Sequence, residues 1–361
     1  MLTSDLDYDL PAEAIAQVPV EPRDAARLLV AGPPGTRSRH HRVAELADLL
    51  DPGDVLVLND TRVIPARLRA HKATGGAVEV LLLSQRADGD WEALVRPSRR
   101  VPPGSHLALA PAADGTTSGP ASVEVGDVLG VDGRRRVRLH HGEDIDDLGV
   151  LGDLGEVPLP PYIHSALADP ERYQTVYAAR PGSVAAPTAG LHLTPEVLDA
   201  CRQRGVEVVR IDLEVGLGTF RPVTAERVED HPMHAERYRI TPEAASRLAD
   251  RSSGTPGRVV AVGTTVVRAL ESWKDTGRLE GETALFIRRG FPFQVVERLL
   301  TNFHVPRSSL LALVDAFVGP RWKALYAEAL ADGYRMLSFG DAMLLDRDDR
   351  LSGAAEGEVE A

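Results

Sequence analysis

Near Arg67 the hydrophobic pattern of this chain changes character, and that change limits the available folds more than any other feature. Short runs rich in β-formers follow one another at Arg67–Lys72, Ala77–Leu83, Trp91–Val95, His106–Ala110, Ser122–Val128 and Arg136–His140. Turn signals separate them, such as the glycine pair at Gly75 and Gly76 and the Asp88, Gly89, Asp90 corner. About six short strands at this spacing predict a small barrel rather than part of a parallel sheet. On either side the pattern alternates between strand-like and helix-like segments, which predicts a mostly open sheet covered by helices. The expected fold is therefore an α/β domain interrupted by an inserted small β-barrel. Residues 1–64 are the first part of the α/β domain, 65–156 the barrel and 157–346 the second part, with a disordered tail over 347–361.

A chain of 361 residues is long enough for two cores, and 43% hydrophobic with 26% charged residues is the balance of a soluble protein. The single cysteine, Cys201, excludes an internal disulfide and fits a reducing cytoplasm. No apolar run approaches the about 18 residues needed to cross a bilayer, and the acidic N-terminus is unlike a secretory signal. The net charge of −12 argues against general nucleic-acid binding. Charge is unevenly distributed, however: Arg62 to His140 holds 12 Lys and Arg against 8 Asp and Glu, an excess of 4. Its basic clusters, Arg96–Arg100 and Arg134–Arg138, are candidates for a phosphate-tracking face, with ordinary solubilising charge as the alternative. Ala110–Pro120 reads as a flexible loop.

Outside the barrel, a short helix is expected around Ala12–Gln17, a strand at Arg27–Val30 and a helix at Val43–Leu50 ending at Pro52 and Gly53. The prolines of residues 158–161 make a stiff connector. Further along, the pattern predicts helix Pro195–Arg204, strand Val206–Val215, a helix near Thr241–Arg251 and strand Arg258–Val262. Helix Val266–Trp273, strand Ala284–Ile287, helices Ser308–Val318 and Trp322–Ala331, and a last strand near Tyr334–Phe339 complete it.

Several expected strands end in small or hydrogen-bonding residues. These are Asn59, Asp60, Thr61 and Arg62; Gly216, Gly218 and Thr219; Gly263, Thr264 and Thr265; and Thr301, Asn302 and His304. Ligands of α/β proteins bind beyond strand carboxyl ends, although an Asx-turn explains Asn59–Arg62 equally well. The stretch Gly182–Thr194 is made almost wholly of small residues, among them Thr188, Ala189 and Gly190, with His192 as its imidazole. It leads into a helix start at Thr194, so it reads either as a tight loop or as a ligand cradle. No GxxxxGK[ST] loop, helix-opening GxGxxG or GxSxG elbow is present, which disfavours nucleoside triphosphates, NAD and serine hydrolysis. His231, His234 and Glu236, with His192 and His304, invite a metal reading, but the spacing lacks HExxH and Pro232 opposes a helix there. General acid/base or hydrogen-bonding roles suit these histidines better, and no metal is expected.

Taken together, these motifs resemble the S-adenosylmethionine:tRNA ribosyltransferase-isomerase (QueA) family. The resemblance runs from Asp7–Pro11 to Gly340–Met343. It is carried by Pro52–Arg67, Pro158–Ile163, Arg172–Tyr177, Gly182–Thr194, Gly216–Phe220, His231–Glu236, Ala261–Thr265 and Thr301–His304. It implies an α/β domain carrying a small β-barrel insert, a monomer, and S-adenosylmethionine as co-substrate with no bound prosthetic group. The implied acceptor is a tRNA with a GUN anticodon bearing 7-aminomethyl-7-deazaguanine (preQ1) at the wobble position. The ribosyl moiety is transferred to the aminomethyl group and isomerised, giving epoxyqueuosine, adenine and methionine. Transfer to a free deazapurine, and a catalytically silent RNA-binding relative, are the competing readings.

That chemistry needs a base for the C5′ proton beside the sulfonium, a proton for departing adenine and a base for the acceptor ammonium. Asp60, His192, His231, His234, Glu236 and His304 are the expected acid/base groups. Gly263–Thr265 is expected to bind the methionyl carboxylate. Asn59, Thr61, Arg62, Thr188, Ala189, Gly190, Gly216, Gly218, Thr219 and Asn302 are expected to line the rest of the pocket. The chain departs from the family pattern at Leu193 (usually Phe), Glu214 (His), Ser165 (Arg), Ala26 (Ser) and Phe339 (Tyr).

Overall fold

The structure is a computed structural model that describes residues 1–110, 121–130, 133–216, 222–249 and 256–351. The chain divides into two compact units. One holds Met1–Thr61, Pro160–Arg180 and the chain from Ala186 onward; the other holds Arg62–Leu159 with Pro181–Ala185.

In chain order the first unit begins with strands β1 (Arg27–Ala31), β2 (Arg39–Arg42) and β3 (Val55–Asn59). The short β4 (Thr61–Val63) follows. The second unit then supplies β5 (Arg67–Lys72), β6 (Ala77–Gln85), β7 (Trp91–Arg96), β8 (Ser105–Leu109), β9 (Ser122–Val128) and β10 (Arg134–His140). Helix α1 (Asp147–Leu154) and β11 (Gly155–Glu156) complete that run. After β12 (Arg180–Ser183), which pairs with β4, the α/β unit resumes with α2 (Pro195–Gln203), β13 (Glu207–Leu213), β14 (Glu236–Arg239) and α3 (Pro242–Ala249). It ends with β15 (Val259–Val262), α4 (Thr264–Thr276), β16 (Glu280–Thr283), β17 (Arg298–Asn302), α5 (Ser309–Val318), α6 (Trp322–Ala331) and β18 (Ala342–Asp346).

The six runs read from the sequence form a closed antiparallel barrel in the order β5-β6-β7-β10-β9-β8, shut by pairing of β5 with β8. Alternation puts Leu68, Ala70, Val80, Leu82, Leu107, Val125 and Val137 inside, so the barrel is filled by side chains. The basic stretch Arg134–Arg138 is largely neutralised. Arg134 pairs with Glu92, Arg136 and Arg138 pair with Asp90, and buried Arg135 donates to the carbonyls of Val101 and Gly126.

The nine-stranded open sheet runs β16-β14-β13-β3-β15-β17-β18-β1-β2. Its centre is parallel: β13 with β3, β3 with β15, and β15 with β17. Every residue of β3, β15 and β17 is buried, as expected of strands covered on both faces. On one face Leu28, Leu56, Leu58, Val260, Val262 and Leu300 pack with Val197, Leu198 and Cys201 of α2. The substituted positions Ala26 and Leu193 belong to this core.

Several segments differ from the sequence reading. The apolar run Tyr334–Phe339 is not a strand; the last strand lies at β18. Asp341 braces the run as a loop by accepting from the backbone N–H groups of Arg27 and Arg335. The strand expected at Ala284–Ile287 lies just before it, at β16, where Glu236–Arg239 offers an edge to pair with. His40–Arg42 forms strand β2 instead of leading a helix, and Val43–Leu49 and Ala12–Ala14 are 3₁₀ segments. Helix α1 was hidden in an acidic stretch; Asp146 caps it by accepting from Gly149 N. Arg347, the first residue of the expected disordered tail, is held in place, donating to the carbonyls of Phe293, Val296 and Glu297. Residues 352–361, most of the expected loop at Ala110–Pro120, and Gly218 and Thr219 lie outside the described residues.

Candidate active site

Strand order brings the polar strand ends together. β13, β3, β15 and β17 are consecutive and parallel, so their carboxyl ends present Gly216, Asn59–Thr61, Gly263–Thr265 and Asn302–His304 along one edge of the sheet. A 3₁₀ turn, Thr188–His192, lies against β17 at this edge. All of these residues belong to the α/β unit. Arg62 follows the division and belongs to the barrel unit.

Asn59 is a strap between strands. Its Nδ2 donates to Leu213 O at 2.9 Å, and its Oδ1 accepts from Leu213 N at 3.0 Å and Thr61 N at 3.2 Å. Asp60 follows it, just past the end of β3. It is 7% exposed, its Oδ1 has no hydrogen-bond partner among the described residues, and Arg180 Nε stands 4.0 Å away. Burial pushes its carboxyl above the ordinary value, against the pull of Arg180 and Arg210. Asp212, on neighbouring β13, is pushed up by burial and by Asp60, and eased by Arg180, Arg239 and the Thr61 hydroxyl.

Gly263 takes φ +93° and begins helix α4, a conformation that side chains resist. Its own N–H is spent on Leu300 O, and the first helical bond runs from Val267 N to Gly263 O, so among the described residues the N–H groups of Thr264, Thr265 and Val266 have no carbonyl of their own helix to donate to. Thr265 Oγ1 is buried with no hydrogen-bond partner among the described residues, and the Ala189 side chain would lie 3.7 Å from a Cβ at Gly263. Gly190 is packed so closely under the Tyr177 hydroxyl that a Cβ there would collide with it. That hydroxyl is buried, has no hydrogen-bond partner among the described residues, and is held well above the ordinary phenol range by burial.

His192 is 4% exposed and its Nε2 lies 3.0 Å from Asn302 Nδ2. The same amide nitrogen donates to Leu337 O at 3.2 Å, which orients the amide. His192 Nε2 therefore accepts, and the ring carries its proton on Nδ1. Burial lowers its pKa to about 4, helped by Arg335, Arg172 and Arg23, so the ring is neutral at pH 7. Asn302 Oδ1 is buried with no hydrogen-bond partner among the described residues. His304 shares a 3.0 Å hydrogen bond with Thr301 Oγ1 and is lowered to about 3 by burial. Its backbone is clamped from both sides: Tyr326 OH accepts from its N–H, and Tyr8 OH donates to its carbonyl. Thr188, Asn302, His304, Tyr162 and Ser338 line a small recess.

The structure does not gather every expected residue here. Both oxygens of Glu236 are occupied, one by Gly216 N at 3.0 Å and one by Arg268, so this buried carboxylate holds the β13 exit in place. His231 sits edge-on to Phe286, with centroids 5.8 Å apart, and His234 is exposed. Among the described residues, neither hydrogen-bonds to a strand end. Phe286 lines a second recess with Met233 and Leu310, and Leu310 also walls the first. Burial pushes Glu214 upward, against Arg237 and Arg239. Sequence reasoning did not single out Tyr177, Tyr162, Asp212 and Arg23, which the structure places beside these strand ends and the Thr188–His192 turn. Tyr162 and Tyr177 lie inside quoted motifs, which was the available signal, whereas Arg23 enters only through folding, donating to Gln174 O and Leu191 O.

Comparison with known proteins agrees with this architecture. The family model described as queuosine biosynthesis protein matches residues 3–345. The chain is 52% identical over 347 residues to an S-adenosylmethionine:tRNA ribosyltransferase-isomerase of Thermus thermophilus, covering 94% of this chain and 98% of that one. It is 51% identical over 346 residues to the protein of the same description from Rubrobacter xylanophilus, covering 96% and 98%. The crystal structure of S-adenosylmethionine tRNA ribosyltransferase from Thermotoga maritima is similar with a TM-score of 0.52 and 35% identity, covering 95% of this chain and all of that one. With the match spanning both units and all four strand ends, the chain belongs to the queuosine biosynthesis protein family of S-adenosylmethionine:tRNA ribosyltransferase-isomerases.

Proposed function

We propose that this protein transfers the ribosyl moiety of S-adenosylmethionine to the aminomethyl group of preQ1 in tRNA and isomerises it, releasing adenine and methionine. One observation carries the placement of the site. Asp60 Oδ1, Thr265 Oγ1, Asn302 Oδ1 and the Tyr177 hydroxyl are buried at one edge of the sheet with no hydrogen-bond partner among the described residues, Asp60 having only the Arg180 guanidinium 4.0 Å away. An unpaired buried polar group costs roughly 1–3 kcal/mol, so several in one place fit a pocket built to be completed by a polar ligand.

In this reading the N–H groups of Thr264 and Thr265 hold the methionyl carboxylate at the positive end of α4. Asp60, whose burial makes it more basic than an exposed carboxylate, is the base for a proton of the substrates. His192 is neutral and presents Nδ1–H, which suits hydrogen bonding to leaving adenine, and Asn302 orients it. Glu236 acts by positioning Gly216. His231 and His234, beside the second recess, are assigned to the acceptor side. Arg96, Arg99 and Arg100 are exposed and form no ion pair among the described residues, so they are the barrel residues assigned to the tRNA backbone. Among the described residues no helix is long and apolar enough to cross a membrane; we place the protein in the cytoplasm as a monomer with a GUN-anticodon tRNA as acceptor.

The test is adenine release from S-adenosylmethionine with three acceptors: preQ1-bearing tRNA, free preQ1 base, and unmodified tRNA. Release with preQ1-tRNA alone is expected. Equal release with the free base would replace the tRNA reading, and binding of tRNA without release from any acceptor would mean a silent relative.

A further inference from the structure

The barrel carries a cluster that the ribosyl-transfer chemistry does not use. His106 on β8, Glu124 on β9 and His140 on β10 project from three neighbouring strands, and one ligand atom from each lies within 4.8 Å of the other two. Alternation explains the placement: Leu107, Val123, Val125 and Leu139 turn into the barrel, so their neighbours turn outward. His106 stands directly opposite Glu124 in the β8–β9 register. His140 is two residues beyond Glu124's partner Arg138, yet its Nε2 reaches Glu124 Oε2 at 3.0 Å. The two imidazole rings are 5.9 Å apart, inclined at 40°.

We propose that His106, Glu124 and His140 form a binding site for a divalent transition-metal ion of the zinc type. Two imidazoles and one carboxylate are a donor set for zinc, nickel or copper, and unlike the all-oxygen sites of magnesium and calcium. With metal–ligand bonds of about 2.0–2.2 Å, a tetrahedral site separates its ligand atoms by roughly 3.3 Å. The observed spacing closes to that by small side-chain rotations, because ladder pairing of β8 with β9 and β9 with β10 already fixes the strands. The hydrogen bond between His140 and Glu124 gives way to the metal. All three residues are outside the packed barrel interior, so the fourth coordination position opens to solvent and holds water or an added ligand. Metal binding competes with protons, so it weakens in acid.

The test uses the full chain freed of metal by chelation, titrated calorimetrically with zinc chloride and optically with cobalt(II). We expect one equivalent bound at this cluster and a cobalt spectrum of tetrahedral intensity. His106→Ala, His140→Ala and Glu124→Gln should each weaken binding more than about tenfold with unchanged circular dichroism, because the residues lie outside the core. His40→Ala, which alters a separate His40, Glu328, Asp332 cluster, should leave it intact. No binding heat above dilution, or zinc affinity unchanged in all three variants, overturns the proposal. Loss of binding only in His40→Ala would place the ion elsewhere and overturn it equally.

Discussion

The close approach of Gly190 to Tyr177 offers a test in which stability and activity move in different directions. A Cβ at residue 190 would fall inside the envelope of the Tyr177 hydroxyl and 3.0 Å from Thr175 Cγ2. The phenol ring is 5% exposed and packed in the α/β core, so it has little room to retreat. Gly190→Ala is therefore an overpacking change, with an expected cost of about 1–3 kcal/mol. Tyr177→Phe removes a buried hydroxyl that has no partner among the described residues, so it should be neutral or stabilising by up to about 1–2 kcal/mol. If the hydroxyl faces substrate, the same change lowers adenine release. The double variant should recover most of the stability that Gly190→Ala removes, because the clashing oxygen is gone. Urea denaturation of the four proteins gives the coupling energy, and adenine release gives the functional arm. Gly190→Ala with an unchanged urea midpoint, or Tyr177→Phe with both lower stability and full activity, would refute the reasoning.

Other expectations follow from the same geometry. His192 and His304 titrate near 4 and 3 when folded, below the usual 6.5, so the unfolded chain takes up protons first as pH falls. Stability they contribute is complete above about pH 6.5 and is lost as pH falls toward 4 and 3, by up to roughly 1.4 kcal/mol per pH unit for each ring. Asp60, Asp212, Glu214 and Glu271 are raised and act in the opposite sense, so the measured slope is net. His304→Gln should flatten the acid limb of a denaturation series over about pH 4–7. Arg268→Met strands buried Glu236 without its cation and should cost about 3–5 kcal/mol in urea unfolding, much of it recovered by adding Glu236→Gln. Replacing Arg96, Arg99 and Arg100 by Ala should lower tRNA affinity and reduce the salt-dependence slope by about one for each phosphate no longer neutralised, with S-adenosylmethionine affinity unchanged.

The barrel was legible because period-two alternation and glycine-rich turns are local signals, and six runs became six strands. The polar strand ends were legible individually, since each is a short run of small or hydrogen-bonding residues after an apolar strand. Their adjacency was not, because β13 and β15 flank β3 from distant points in the chain. Glu236 illustrates the limit: among histidines in sequence it looked like an acid/base group, but Arg268, 32 residues away, takes up its charge. Tyr334–Phe339 misled for a related reason. An apolar run buried as a loop looks like a buried strand until the Asp341 carboxylate that satisfies its backbone is seen.

The central claim is that one sheet edge, formed by the ends of β13, β3, β15 and β17 with the turn at Thr188–His192, binds S-adenosylmethionine. Amide hydrogen exchange with and without S-adenosylmethionine tests it most directly. The account predicts slowed exchange in peptides covering residues 59–61, 188–192, 263–266 and 302–304, with the outer barrel strands unchanged. Slowed exchange confined to other segments, with these four unaffected at saturating S-adenosylmethionine, would contradict it.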